Sequence, residues 1–183
     1  LRGIDMTYDN IVTGTFLKRP NRFIAYVEVK GDVKTCHVKN TGRCQELLVP
    51  GCTVVLEFHP KAKEMKRKTE YDLIAVYKGN LLINMDSQAP NQAALEWIRE
   101  KEAKGLSLEN VGIPTNIRRE VTHGESRFDL AFELKDEVTG KTVPAFMEVK
   151  GVTLEKEGNV FFSDAPTIRG VKHLNGLIQA KKD

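Results

Sequence analysis

Cysteine is scarce in this chain: Cys36, Cys44 and Cys52 are the three in 183 residues, spaced evenly by eight. An odd number at that spacing matches no zinc pattern and no disulfide framework, so reduced, partly buried thiols are expected. Aromatic residues make up 7%, too few for the ring-lined groove of a carbohydrate-binding barrel. No apolar run approaches the length of a membrane span, and no signal peptide opens the chain. A cytoplasmic location is the expectation. There are no repeats, no low-complexity runs and no helix-turn-helix, so nothing points to base-specific reading of a promoter.

What is present is charge, unevenly placed. With 40% hydrophobic and 29% charged residues, the composition is that of an ordinary globular protein. Residues 1–85 carry 14 basic and 9 acidic side chains, net +5; residues 86–183 carry 14 and 16, net −2. A basic first half beside an acid-bearing second half suits a grip on a polyanion joined to a metal site.

From Ile11 to Asn84 the pattern is all strand. Runs at Ile11–Leu17, Arg22–Lys30, Val33–Val38, Cys52–Phe58, Asp72–Tyr77 and Leu81–Asn84 are separated by turn signals such as Lys30-Gly31-Asp32 and Lys78-Gly79-Asn80. Short strands at this spacing predict a small closed barrel, of the oligonucleotide-binding (OB) type or SH3-like. Lys61, Lys63, Lys66, Arg67 and Lys68 fall within eight residues. As a mobile basic loop they would contact phosphates; the alternative is a merely solvated loop. Arg43, in the polar turn Asn40-Thr41-Gly42-Arg43, is a further candidate phosphate ligand.

Pro90-Asn91 opens a helix over Gln92–Lys104, which sets a domain boundary near Asp86–Pro90: a barrel over 6–85, a second domain over 86–183. Asp164-Ala165-Pro166 reads as a second helix start. That helix carries an apolar stripe of Ile168, Val171, Leu174, Leu177 and Ile178. Arg169, Lys172 and His173 lie off the stripe and could meet a backbone phosphate; for His173 a solvated histidine is the default reading.

Between the helices, Ser126–Leu154 predicts two strands and a turn at Thr139-Gly140. Phe128, Leu130, Phe132 and Leu134 alternate with Asp129, Ala131 and Glu133. Val143–Val149 is a nearly continuous apolar run, expected to be buried on both faces. Glu148 and Lys150 are two apart and share a side of that strand, within reach of Asp129 across the hairpin. Acids two residues before a lysine also occur at Glu28/Lys30, Asp32/Lys34, Glu64/Lys66, Glu102/Lys104 and Glu133/Lys135. What sets Asp129 and Glu148 apart is their apolar context, where unpaired charge is costly. Two carboxylates suit Mg²⁺ or Mn²⁺, and Lys150 would orient the attacking water or stabilise the added negative charge of phosphodiester hydrolysis. Glu120, in Ile117-Arg118-Arg119-Glu120-Val121, is either a further acid of that site or a surface partner of its arginines.

KRPNRFIAYVEV, NTGRCQELLVPG, KRKTEYDL, PNQ, IRREV, SRFDLAFEL, MEVKGVTL and FFSDAPTIRGVKHL, in that order, resemble the sugar fermentation stimulation protein family. The likeness runs from Asn10 to about Leu177. It implies an OB-like barrel followed by a PD-(D/E)xK nuclease-like α/β domain. It implies DNA binding without sequence preference, RNA being admitted as well, and a link to maltose metabolism. By motif the nuclease-like positions are Asp129, Glu148 and Lys150, with Glu120 the upstream acid. Family members usually continue past the helix near Lys182 by a further strand and helix, so the second domain is expected to be incomplete here. The rival to a nuclease is a non-enzymatic DNA-binding regulator.

Overall fold

The computed structural model describes residues 7–108, 111–162 and 168–182, the Arg169 side chain excepted. The expected cap at Asp164-Ala165-Pro166 lies outside the described residues. The chain forms two compact units, one of Thr7–Ala89 with Glu155–Val160, the other built on Pro90–Leu154 and the described residues from Phe161 onward.

The first unit is a closed five-stranded barrel. Strands β1 (Ile11–Asn21), β2 (Ile24–Val29) and β3 (Asp32–Val38) form an antiparallel meander; β4 (Thr53–Phe58) and β5 (Tyr71–Lys78) follow, and β6 (Leu81–Asn84) extends from β5. The β2–β3 turn has Lys30 and Gly31 at φ of 53° and 86°, the paired positive values of a tight hairpin. β1 pairs with β4, β4 with β5, and β3 closes the ring on β5 in parallel register, His37 opposite Asp72. That parallel closure selects the OB type over the SH3-like one. β1 runs past its expected end because pairing to β2 resumes at Asn21 opposite Ile24, after a break in the ladder between Lys18 and Asn21. Pro20, which has no amide proton to offer, sits in that irregularity.

Alternation fills the barrel: Phe16, Ala25, Val27, Val29, Cys36, Val38, Val54, Leu56, Leu73 and Val76 share one core. Each large side chain buried there is worth about 1.5–3 kcal/mol. None of the three cysteines is in a disulfide, Cys36 and Cys44 being buried and Cys52 half-buried, as their spacing predicted.

The second unit holds helix α1 (Ala89–Lys104) and an antiparallel sheet of β7 (Ile113–His123), β8 (Ser126–Lys135) and β9 (Thr142–Met147), in that order. The short pair β10 (Glu155–Lys156) and β11 (Asn159–Val160) joins the barrel unit, and helix α2 (Ile168–Lys182) ends the described chain. Leu95 and Ile98 of α1 pack on Leu130 and Phe132 of β8, with Met147 and Val149 beside them.

Two expectations fail here. β9 is the edge of its sheet and is half exposed, Val143 at 55%, so it is not buried on both faces. The apolar run marked a strand, but no described strand pairs its outer side. The predicted stripe of α2 is likewise largely exposed: Ile168 93%, Leu174 63%, Val171 57% and Ile178 54%. The helix makes its close approach to β8 at Gly176.

Burial pushes the Cys36 thiol from 9.0 up to about 12, helped by the charge of Asp72. Burial likewise pushes the Tyr8 phenol from 10.0 to about 12; Asn84 opposes the shift and Asp86 adds to it. Both groups keep their protons longer when folded, so their contribution is intact below about pH 9 and is lost as pH rises towards 12. Urea midpoints should therefore fall steadily above about pH 9. Tyr8→Phe should remove part of the slope; an unchanged slope would assign the alkaline loss to other groups.

Candidate functional site

The ladder between β8 and β9 stops at Leu130 opposite Met147. The next residue of β8 is Asp129, and its side chain takes over there: Oδ2 accepts the Val149 amide at 2.7 Å, and Oδ1 accepts from Asn91 Nδ2 at 2.8 Å. Asn91 stands in the first turn of α1, so the helix start and the end of β9 are tied to one carboxylate. Gly151 continues that packing: a Cβ there would come within 2.9 Å of Pro90 Cγ.

Glu148 and Lys150 flank Val149, and they meet. Lys150 Nζ donates to Glu148 Oε1, and the Glu148 side chain is only 7% exposed against 37% for Lys150. His173 of α2 closes on the same oxygen through Nδ1, which is also 3.0 Å from Lys150 Nζ. The ring tautomer decides whether that nitrogen donates to Glu148 or accepts from Lys150. The helix reaches this position because of Gly176, three residues further on. A Cβ there would lie 2.2 Å from Ser126 Oγ and 3.0 Å from Ser126 Cβ, at the start of β8.

Glu120 is not brought into this group. The pairs Arg119–Leu130 and Val121–Phe128 set it opposite Asp129, but its φ is 51° and its carboxylate accepts from Arg127 Nη2 on the exposed surface. Asn91 and His173 are the two members of the cluster that sequence reasoning missed. The signal for His173 was its spacing to Gly176, readable only once the helix contact is known.

Of the nucleic-acid candidates, Lys61, Lys63, Lys66, Lys68, Arg43 and Lys172 are exposed, and the Arg169 side chain lies outside the described residues. The basic segment is a run of hydrogen-bonded turns rather than a mobile loop: Ala62 binds His59, Met65 binds Lys61, and Arg67 binds Ala62. Arg67 anchors it, Nη2 lying 2.5 Å from the buried Asp72 Oδ1. His59 is 3.0 Å from Asp72 Oδ2 and 3.7 Å from Glu57 Oε2, the acid paired across from Asp72. Like charges facing each other on a sheet repel, and Arg67 offsets that repulsion. Its guanidinium is committed inward, whereas the four lysines face solvent.

Residues 17–85 match the family described as SfsA N-terminal OB domain, and residues 88–183 match that described as sugar fermentation stimulation protein RE domain. The chain belongs to the sugar fermentation stimulation protein family. A sugar fermentation stimulation protein homolog of Alkaliphilus oremlandii is 53% identical over 178 residues, covering 97% of this chain and 72% of the relative. Another, from Desulfitobacterium hafniense, is 52% identical over 175 residues, covering 96% and 69%. The solved structure of Pyrococcus furiosus SfsA in complex with Ca²⁺ superposes with a TM-score of 0.73 at 26% identity, covering 95% of this chain and 68% of that one. Family membership accords with the barrel, helix and sheet described above. Among the described residues no helix is long and apolar enough to cross a membrane.

The close approach at Gly176 yields a test. Gly176→Val should lower stability by about 1–3 kcal/mol, as overpacking does, and separate His173 from Glu148. Urea unfolding of the variant against the parent measures it; equal stability would show that α2 does not depend on that contact.

Proposed function

We propose that this chain is a nucleic-acid-binding protein whose second unit cleaves phosphodiester bonds with a divalent cation. The observation that carries the reading is the 2.7 Å bond from the Val149 amide to Asp129. It sets one carboxylate against the residue between Glu148 and Lys150, the juxtaposition that this chemistry needs. The donors fit a hard cation: carboxylate oxygens keep lone pairs beyond those already used, and Mg²⁺ or Mn²⁺ prefers oxygen. The Pyrococcus furiosus relative was solved with Ca²⁺, a cation of the same preference. Such a cation would neutralise phosphate charge and lower the pKa of a bound water. Lys150, on a flexible stem, would turn from Glu148 to the phosphate oxygen where charge develops. His173 would then hold Glu148 in place. The exposed lysines of the 61–68 segment, Arg43 and Lys172 would supply backbone contacts without reading bases.

A second reading, a non-catalytic DNA-binding regulator of sugar metabolism, is favoured by one feature. Glu148 Oε1 already faces both Lys150 and His173, and Glu120 is held by Arg127. Plasmid nicking separates the two. Relaxation of supercoiled DNA should require Mg²⁺ or Mn²⁺, stop on chelation, and disappear in Glu148→Gln and in Lys150→Ala. DNA affinity should persist in both, because neither side chain is needed for the grip. Asp129→Asn should weaken Mn²⁺ binding by calorimetry. Cleavage that survives in Glu148→Gln and Lys150→Ala would overturn the assignment, and no cleavage by the parent would leave the regulator.

A further inference from the structure

The barrel unit contains an open cavity of ≈ 700 Å³ between the β1–β2 turn and the segment that follows β3. Its floor is Phe16 and Leu48, both buried in the core. Lys18, Arg19, Arg22 and Arg43 surround it, and among the described residues no acidic side chain lines it and none of the four is ion-paired. Four like charges around one concavity repel, and they are tolerated where an anion is to be held.

Arg19 builds the walls. Its Nη1 donates to the carbonyls of Gly42 and Arg43 at 2.7 and 2.9 Å, and its Nη2 to those of Arg22 and Asn40 at 2.6 Å each. One guanidinium therefore pins both segments, using backbone acceptors and no carboxylate. No carboxylate neutralises its charge; its buried Nε meets no oxygen acceptor, and the Cys44 side chain is the partner beside the guanidinium. Asn40 and Asn21 stiffen the walls further, accepting from the amides of Gly42 and of Phe23 and Ile24. Arg22 and Arg43 are left with exposed side chains on fixed backbone. This is a preformed anion cradle.

Two of its lining cations stand against aromatic rings. Phe23 is 50% exposed with the Arg22 guanidinium 5.9 Å from its ring, and Lys18 Nζ is 5.5 Å from the Tyr26 ring. A duplex keeps its bases stacked on one another, so an exposed ring beside phosphate-binding cations suits a strand whose bases are free. We propose that this cavity is a binding site for single-stranded nucleic acid, a backbone phosphate held by Arg22, Arg43 and Lys18 and a base stacked on Phe23. The proposal deepens the nucleic-acid reading above and rests on it, but not on any cleavage.

Fluorescence anisotropy with a labelled oligothymidylate, the same-length oligouridylate and a duplex of that length tests it, using the whole chain without divalent cation. Arg22→Ala/Arg43→Ala should flatten the log–log salt slope on single strands by up to about 1.4, at about 0.7 per phosphate. These two side chains are exposed and the carbonyls that Arg19 holds are retained, so the double variant should fold; circular dichroism checks this. Phe23→Ala should weaken single-strand binding at least about five-fold and leave duplex binding unchanged. The two single-strand arms give the sugar preference. Unchanged slope and affinity in both variants, with the parent still binding, would overturn the cavity while sparing the nucleic-acid reading. Equal loss on duplex and single strand in Phe23→Ala would overturn the single-strand assignment. A parent chain that binds none of the three probes would overturn both readings.

Discussion

The bond from the Val149 amide to the Asp129 carboxylate is the constraint on which the second unit's site depends. Where the β8–β9 ladder would have continued with Asp129 opposite Glu148, a side-chain oxygen replaces the backbone acceptor. The strand ends, and the three residues Glu148-Val149-Lys150 leave the sheet as coil. In a continued strand Val149 would point away from Glu148 and Lys150, and both charged heads would be spread along one face. Released from the ladder, the two heads close on each other instead. A hydrogen bond to a charged group contributes more than a neutral one, about 1.5–3 kcal/mol, enough to hold a short departure from regular structure.

Much of this was legible in the sequence, for reasons that differ by element. The barrel strands were readable because one face of each is buried, so period-two alternation survives in Ala25, Val27 and Val29. The hairpin of β8 was readable for the same reason. The register that brings Asp129 to Val149 was not, because it depends on where a ladder stops, which is a tertiary outcome. The apolar run in β9 misled for a related reason: a strand with one partner and a strand with two can carry the same residues. In α2 the stripe of Ile168, Val171, Leu174 and Ile178 promised a buried face, yet Gly176 decides the contact. A missing Cβ lets a helix approach where a large side chain cannot, and hydrophobic periodicity gives a glycine no weight.

Arginine accounts for the other hidden part. Sequence reasoning treats Lys61 to Lys68 and Arg43 alike as positive charge, but the fold separates them by geometry. A guanidinium carries five donors in a fixed plane, so Arg67 can hold a buried carboxylate and Arg19 can collect four carbonyls. An ammonium, with three donors, can hold a buried carboxylate, as Lys39 holds Asp86, but it cannot collect four carbonyls at once. The lysines of the basic segment, with compact and strongly hydrated heads, stay at the surface. Composition therefore overstated how many cations are offered outward from the 61–68 segment. It also gave no weight to Lys18 and Arg22, whose placement follows from Arg19's hold on their surroundings.

Binding and chemistry place opposite demands on charge, and under the proposed function the two units would meet them differently. A grip on a phosphate backbone improves with every exposed cation, but such contacts are the same in ground and transition state and do not speed a reaction. The barrel cavity has that character: cations without acids, on walls that are already fixed. A group that acts on a reacting phosphate must instead be restrained until substrate arrives; in the proposed role Lys150 would be so restrained by Glu148 and His173. Adding cations around Glu148 would strengthen the hold on nucleic acid while competing for the carboxylate oxygens that a divalent cation needs. Under the proposed function, cations gathered in one unit and carboxylates in the other would remove that conflict. The excess of positive charge in the first half of the chain and of negative charge in the second accords with that proposed division.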